Sequence, residues 1–211
     1  MFYFTSSEGY LLYMGKDKFE NEELIKYGLP EDVWFHVDNL SSAHVYLRQK
    51  EGEKLDDISP MLLHECAQLV KANSIEGSKQ KSCHVIYTRW RNLKKTSQME
   101  IGAIGYHDRS KQRRILVEKD KAVVNDLNRT KLEVFPDLAA EQEDRARQWR
   151  AKQVNEKKTL AAQQKEEQKK RYAEAELRSY KSLQSVEGVS NKSVQASVDQ
   201  SAAEEWEDDF M

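Results

Sequence analysis

Residues 32–48 read Asp-Val-Trp-Phe-His-Val-Asp-Asn-Leu-Ser-Ser-Ala-His-Val-Tyr-Leu-Arg. Apolar residues hold every second position in two runs, namely Val33, Phe35 and Val37, then Ala43, Val45 and Leu47. Alternation with a period of two is typical of half-buried strands, because successive side chains point to opposite sides of a sheet. A short turn at 39–42, with Asn39, Ser41 and Ser42 as its polar residues, lies between the runs. The segment therefore predicts a β-hairpin with one buried face.

The other face of this hairpin is unusual in composition. It carries Trp34, His36 and Asp38 on the first run, and His44, Tyr46 and Arg48 on the second. We expect these six side chains to lie together on an open sheet face. Exposed aromatic and imidazole rings can stack on nucleic-acid bases, so this face predicts a ligand surface. The competing interpretation is structural: Trp34 and Tyr46 pack under another element, and the histidines bond to the turn.

Two catalytic interpretations of the same residues are weaker. His36, Asp38 and His44 resemble a metal-binding set of two histidines and one carboxylate. The second histidine of such sets arrives from a distant strand, however, and the chain has no Cys-x-x-Cys or His-Glu-x-x-His motif. Ser41 or Ser42 beside His44 lacks a nucleophile elbow. We expect no enzyme activity, no metal and no cofactor.

A second segment supplies positive charge. Residues 87–95 read Tyr-Thr-Arg-Trp-Arg-Asn-Leu-Lys-Lys, in which aromatic residues alternate with cations. Such interleaving suits phosphate contact combined with stacking. For the basic residues 109–114 that follow, a solvated loop is an equally good interpretation. The side chains predicted to bind nucleic acid are Trp34, His36, His44, Tyr46, Arg48, Arg89, Arg91, Lys94 and Lys95.

The remaining patterns predict the fold class. Two aromatic-rich runs at 1–5 and 10–14 predict a first hairpin. Helices are predicted to begin after Asp17 and at Pro60, where Ser59 is the N-cap. Further elements are predicted at 83–88 and 115–118, as strands, and at 121–129, as a short helix. The order β-β-α-β-β-α-β-β favours an α+β fold, a mainly antiparallel sheet with helices packed on it.

Composition divides the chain into four parts. Residues 1–120 are predicted to form the nucleic-acid-binding domain and 121–136 a connector. Residues 137–178 contain no Gly or Pro and are rich in Glu, Lys, Arg, Ala and Gln, which predicts a long charged helix or possible coiled coil. Residues 179–211 carry two basic and seven acidic side chains, which predicts a disordered acidic tail.

The predicted compartment follows from cysteine content and apolar runs. Cys66 and Cys83 are the only cysteines, too few for a disulfide framework. The first residues lack the basic and apolar regions of a secretory signal. No apolar run approaches the ~18 residues of a membrane span. We expect a cytoplasmic protein, also possible in the nucleus, that associates with membranes only through a partner.

Four motifs in order resemble one known family, the NFACT-R module of ribosome-quality-control factors and fibronectin-binding-like proteins. They are Gly-Lys-Asp-Lys-Phe-Glu-Asn-Glu-Glu-Leu at 15–24, Asp-Val-Trp-Phe-His-Val at 32–37, Ser-Ala-His-Val at 42–45, and Tyr-Thr at 87–88 with Lys-Lys at 94–95. The usual Pro-Gly before the third motif is Leu40-Ser41 here. The resemblance covers about 1–120 and carries over Trp34, His36, His44, Lys94 and Lys95 as motif residues.

The resemblance implies non-catalytic binding of RNA or DNA and a ribosome or translation-factor partner. The larger family members have another domain before this module, so functions that need that domain do not transfer. The alternative is a protein-interaction adaptor, in which the helix at 137–178 docks a protein partner and the sheet is a scaffold. Binding to phosphates weakens with added salt, which distinguishes the two functions.

Overall fold

The structure is a computed structural model that describes residues 1–178 of the 211-residue chain. The acidic tail predicted at 179–211 lies outside the described residues. Within them the chain forms nine strands: β1 (Phe2–Thr5), β2 (Leu11–Met14), β3 (Asp32–Val37), β4 (Val45–Arg48), β5 (Ser82–Arg89), β6 (Leu93–Lys94), β7 (Gly105–Tyr106), β8 (Arg113–Glu118) and β9 (Leu132–Glu133). It also forms four α-helices: α1 (Lys18–Tyr27), α2 (Pro60–Ala72), α3 (Lys121–Arg129) and α4 (Leu138–Arg178).

Seven of these strands form one antiparallel sheet in the order β8-β5-β3-β4-β2-β1-β9, and β6 pairs with β7 separately. The hairpin predicted at 32–48 is confirmed. Asp32 lies opposite Arg48, and Trp34 lies opposite Tyr46. Asn39 adopts a positive φ of 58° in the connecting turn, a conformation that asparagine tolerates better than most residues. The predicted α+β class with a mainly antiparallel sheet is confirmed.

Capping side chains fix where the helices begin. The Asp17 carboxylate accepts hydrogen bonds from the backbone N–H groups of Phe19 and Glu20 at the start of α1. The Ser59 hydroxyl accepts from the Leu62 N–H, and Pro60 occupies the first position of α2. Each cap satisfies N–H groups that a helix leaves unpaired. Both helix starts were predicted from these residues.

The first face of the sheet holds the main hydrophobic core. Val33, Phe35, Val37, Val45 and Leu47 point into it, as the alternation predicted. The apolar side of α2 covers this face, and α3 packs beside α2. The free cysteines Cys66 and Cys83 are both buried in this core.

The second face of the sheet is also covered. A second cluster of buried side chains includes Tyr13, Trp34 and Tyr46 from the sheet. Leu24 of α1 and Leu93 of β6 belong to the same cluster, and side chains from the 90–106 segment and the first turn of α4 pack against it. The sheet therefore has a packed layer on both faces, and the open face expected from the sequence is absent from the described residues.

Helix α4 is 41 residues long and has no buried residue. The pairs Glu166–Lys170 (2.9 Å) and Glu167–Arg171 (3.1 Å) form ion pairs one turn apart. The sheet and the first turns of α4 belong to one compact unit, Met1–Ala151. Across residues 1–178, no helix combines the length and apolar character needed to cross a membrane.

Candidate nucleic-acid interface

The aromatic residues of the central hairpin lie inside the protein. Trp34 is 1% exposed, Tyr46 is 0% exposed and His44 is 3% exposed. The Tyr46 ring stacks on Tyr13, with centroids 5.1 Å apart, and Tyr106 packs edge-on against Trp34. The prediction that these rings are exposed is wrong, because α1 and the 90–106 segment cover this face. Trp34 and Tyr46 belong to a second core of the folded domain.

The two histidines belong to the same packed group. His36 is partly buried, stacks on Trp34 at 5.4 Å, and places its Nδ1 2.7 Å from the Val37 carbonyl oxygen. His44 contacts Trp34 and His36 edge-on. Burial, with smaller contributions from His36 and Lys95, lowers the pKa of His44 to about 3. His44 is therefore neutral at physiological pH and supplies no positive charge for a phosphate.

Arg48 is held by an internal ion pair. Its Nε donates to Asp32 Oδ1 at 3.0 Å, and its Nη2 lies 3.3 Å from Asp32 Oδ2. Asp32 is completely buried and also accepts a hydrogen bond from the Leu29 N–H at 2.7 Å. Glu141 of α4 lies 3.7 Å from the same guanidinium. Because these partners occupy Arg48, the structure gives it a structural role.

Arg89 and Lys95 also have internal partners. The Arg89 guanidinium donates to the backbone carbonyls of Glu31 and Glu53. Lys95 Nζ donates to Glu22 Oε1 at 2.7 Å and to the carbonyls of Glu100 and Ala103 at 2.7 and 2.8 Å. Lys95 thereby closes the loop at 96–104 onto α1. Of the five cations predicted to bind nucleic acid, Arg48, Arg89 and Lys95 therefore bind partners within the domain.

Arg91 and Lys94 are the two predicted cations that point to solvent. Both are exposed. Arg91 lies on a single 3-10 turn, Trp90–Asn92, and Lys94 lies on the short strand β6. Neither forms an ion pair with a carboxylate in the part of the chain that the structure describes. Their charges are therefore available to a phosphate group.

Trp90 anchors this turn rather than lying free on the surface. Its indole N–H donates to the Ile25 carbonyl at 2.9 Å, and the side chain is partly buried. A Cβ atom at Gly28 would lie only 2.2 Å from the indole Nε1, so only glycine allows the ring to pack this closely. The packing of Trp90 fixes the position of Arg91.

Two grooves lie on either side of the Trp90 turn. We call the first the helix groove: it has a volume of about 860 Å³ and lies between the turn, the loop at 50–53 and the first turns of α4. We call the second the basic groove. Its volume is about 450 Å³, and the basic side chains that line it are Lys26, Arg91, Lys95 and His107. Glu22 and Glu23 also line the basic groove. Arg91 lines both grooves.

Four residues at these grooves were missed as binding residues by the sequence reasoning. They are Lys26 and His107 in the basic groove, and Lys50 and Trp149 in the helix groove. Lys26 lies at the end of α1, and His107 follows strand β7, so neither belongs to a basic run. Trp149 stands alone in a polar helix. An isolated aromatic residue among charged helical positions was the available signal, although its spacing alone did not indicate a groove.

Comparison with known proteins gives independent information about residues 1–108. This range matches the family model of the NFACT protein RNA binding domain. A solved structure, the C-terminal of the fibronectin/fibrinogen-binding protein from Streptococcus suis, aligns with a TM-score of 0.51 at 20% identity. The alignment covers 62% of this chain and 48% of that chain, and it shows a shared fold.

Full-length relatives show closer similarity. Coiled-coil domain-containing protein 25 from Bos taurus is 52% identical over 90% of this chain and 94% of its own length. The protein of the same name from Mus musculus is 53% identical over the same shares. Protein JLP2 from Saccharomyces cerevisiae is 39% identical over 64% of this chain and 66% of its own length.

Proposed function

Because this chain belongs to the NFACT RNA-binding domain family, together with the relatives named coiled-coil domain-containing protein 25, we propose that it is a non-catalytic RNA-binding protein. Arg91 and Lys94 hold phosphates: the Trp90 turn presents Arg91, and strand β6, which follows it, presents Lys94. The single observation that carries this assignment is that these two cations are exposed and lack acidic partners within residues 1–178, whereas Arg48, Arg89 and Lys95 are engaged internally.

Phosphate contacts position an RNA strand but carry no sequence information. The packed rings of Trp34, His36, His44 and Tyr46 are not on the RNA-binding surface of this proposal. Instead they fix α1 and the 90–106 segment, which carry Lys26, Arg91 and Lys94. We therefore expect modest sequence specificity from this surface. DNA presents the same phosphates, and the contribution of the 2′-hydroxyl is measured by comparing the two polymers.

The family resemblance extends the proposal to translation. It supports an RNA partner on or near the ribosome, or a translation factor. The adaptor function predicted for 137–178 makes the opposite prediction for RNA: the sheet domain would then bind RNA no better than an unrelated protein of similar charge.

The experiment is an affinity measurement with full-length protein and a short labelled single-stranded RNA at low salt. Arg91→Gln and Lys94→Gln are compared with Lys79→Gln, which removes one charge from an exposed lysine outside both grooves. We expect Arg91→Gln and Lys94→Gln each to weaken binding about fivefold, equivalent to ~1 kcal/mol for one charged contact at an exposed site. The control variant should bind as the unmodified chain does. Equal affinity for all four proteins would contradict the proposal.

A further inference from the structure

One wall of the helix groove comes from outside the residues matched by the RNA-binding family model. That model covers residues 1–108. The groove is also lined by Gln142, Arg145 and Trp149, which lie on the first turns of α4. These turns belong to the same compact unit as the sheet. The groove is therefore part of one folded unit that extends beyond the family module.

Polar contacts hold this wall in place. The Gln142 side-chain amide donates to the Gly28 carbonyl at 3.1 Å. The Arg145 guanidinium forms an ion pair with Glu31. Leu138 at the helix start packs against the second core. Because the contacts reach the sheet domain from successive turns, the beginning of α4 is positioned before any ligand binds.

Trp149 projects into the groove from this wall. It follows Gln142 by seven residues and Arg145 by four, which places all three on one helix face. Its side chain is 52% exposed. The partly buried Trp90 also lines this groove. An aromatic ring held on a docked helix and left half open offers a stacking surface.

Two cations flank this aromatic groove. Arg91 borders it from the Trp90 turn, and Lys50 borders it from the loop at 50–53. Lys50 Nζ lies 5.0 Å from the centre of the Tyr10 ring, and the described residues place no carboxylate in an ion pair with it. Four acidic side chains also line the groove, namely Glu31, Glu51, Glu53 and Glu143. Arg145 forms an ion pair with Glu31 and lies 3.9 Å from Glu51, and Glu53 accepts a hydrogen bond from the Tyr10 hydroxyl at 2.8 Å. The combination of a ring with nearby cations matches the chemistry of a nucleotide.

We propose that the helix groove takes one unpaired nucleobase of an RNA strand. The base stacks on Trp149, and the adjoining phosphates contact Arg91 and Lys50. The groove volume of about 860 Å³ is large enough for a single nucleotide. This inference rests on the proposed RNA-binding function and specifies its substrate: a strand with an unstacked base. A fully paired duplex keeps its bases stacked inside and leaves Trp149 unused.

The test compares full-length Trp149→Ala with a matched control, Leu160→Ala, which truncates another exposed apolar residue of α4 outside the groove. Affinity is measured for a single-stranded RNA and for a blunt RNA duplex of equal length. We expect Trp149→Ala to weaken single-strand binding at least about fivefold and to leave duplex binding unchanged. Trp149→Phe should retain most of the single-strand affinity, and Leu160→Ala should behave as the unmodified chain. Circular dichroism confirms that each variant keeps its helix.

The outcomes separate this inference from the proposed function. Unchanged single-strand affinity in Trp149→Ala, with a loss in Arg91→Gln, would overturn the base-stacking site and leave RNA binding intact. Equal loss for single-stranded and duplex RNA would also overturn it, because stacking is restricted to unpaired bases. An unmodified chain that binds neither RNA would refute the proposed function and this inference together.

Discussion

Arg48 shows how a single side chain can be misassigned from its charge. The hairpin places Arg48 directly opposite Asp32. Opposite charges at facing positions of an antiparallel pair attract each other, and Asp32 is completely buried. The centre of the turn decides this register: a hairpin centred on Leu40 pairs Asp32 with Arg48, whereas one centred on 39–42 would pair Asp32 with Gln49. A cation with a cross-strand acid is therefore a weak candidate for binding phosphate.

The buried imidazole of His44 predicts a dependence of stability on pH. Its pKa of about 3 in the folded protein lies below the ordinary value of 6.5. The unfolded chain therefore takes up the proton first as the pH falls, and stability decreases from about pH 6.5 down to about pH 3. Between pH 7 and pH 5 we expect His44 to account for a loss of about 2 kcal/mol in the free energy of unfolding.

Urea unfolding at pH 7 and pH 5 checks this, with His44→Gln as the comparison. Burial also lowers the pKa of His36, so the variant should keep part of the pH dependence and lose the share that belongs to His44. An equal loss of stability in both proteins would show that His44 does not titrate as expected.

Substitutions at the neighbouring residues Lys94 and Lys95 test whether Lys95 holds the loop at 96–104 in place. Lys95 binds Glu22 and two loop carbonyls, and Glu22 also accepts from the Gly102 N–H at 2.6 Å. We expect Lys95→Met to release this loop and to speed amide hydrogen exchange at Gly102. Lys94→Met is the matched control, because the Lys94 side chain is exposed and holds no loop carbonyl.

Hydrogen–deuterium exchange with mass spectrometry measures both variants. Faster exchange across 96–104 in Lys95→Met alone agrees with the structure. Similar exchange in both variants would mean that the loop is held mainly by the pairing of β6 with β7 and by apolar packing.

Local patterns were sufficient to predict most elements. The alternation in 32–48 gave the hairpin, and the caps at Asp17 and Ser59 gave the starts of α1 and α2. The alternation also separated the two sheet faces correctly. It could not show what covers each face, because that depends on α1 and the 90–106 segment folding back from other parts of the chain. The strands β6, β7 and β9 are two residues long and have no periodic signal.

The candidate site was predicted only in part for the same reason. The segment 87–95 was correctly singled out as basic and aromatic, but sequence alone could not divide its cations into engaged and free ones. That division depends on partners such as Glu22 and the Glu53 carbonyl, which lie far away in the chain. Trp149 is 41 residues beyond the family-model match and reaches the groove only because α4 docks on the sheet domain.

Charge distribution along the chain bears on how RNA binding is measured. Residues 1–136 carry 21 basic and 20 acidic side chains, so the net charge of the sheet domain is close to zero. A general attraction to polyanions is therefore small, and specific cations must provide the phosphate contacts. Consequently the number of phosphates contacted, rather than the net charge, should set the response to salt.

The salt dependence of RNA affinity measures that number directly. For single strands, the slope of log affinity against log salt concentration is about −0.7 per phosphate contact. We expect the double variant Arg91→Gln/Lys94→Gln to have a slope shallower by about 1.4 than that of the unmodified chain, and Lys79→Gln to leave the slope unchanged. Parallel slopes for the unmodified chain and the double variant would contradict the assignment of phosphate contacts to Arg91 and Lys94.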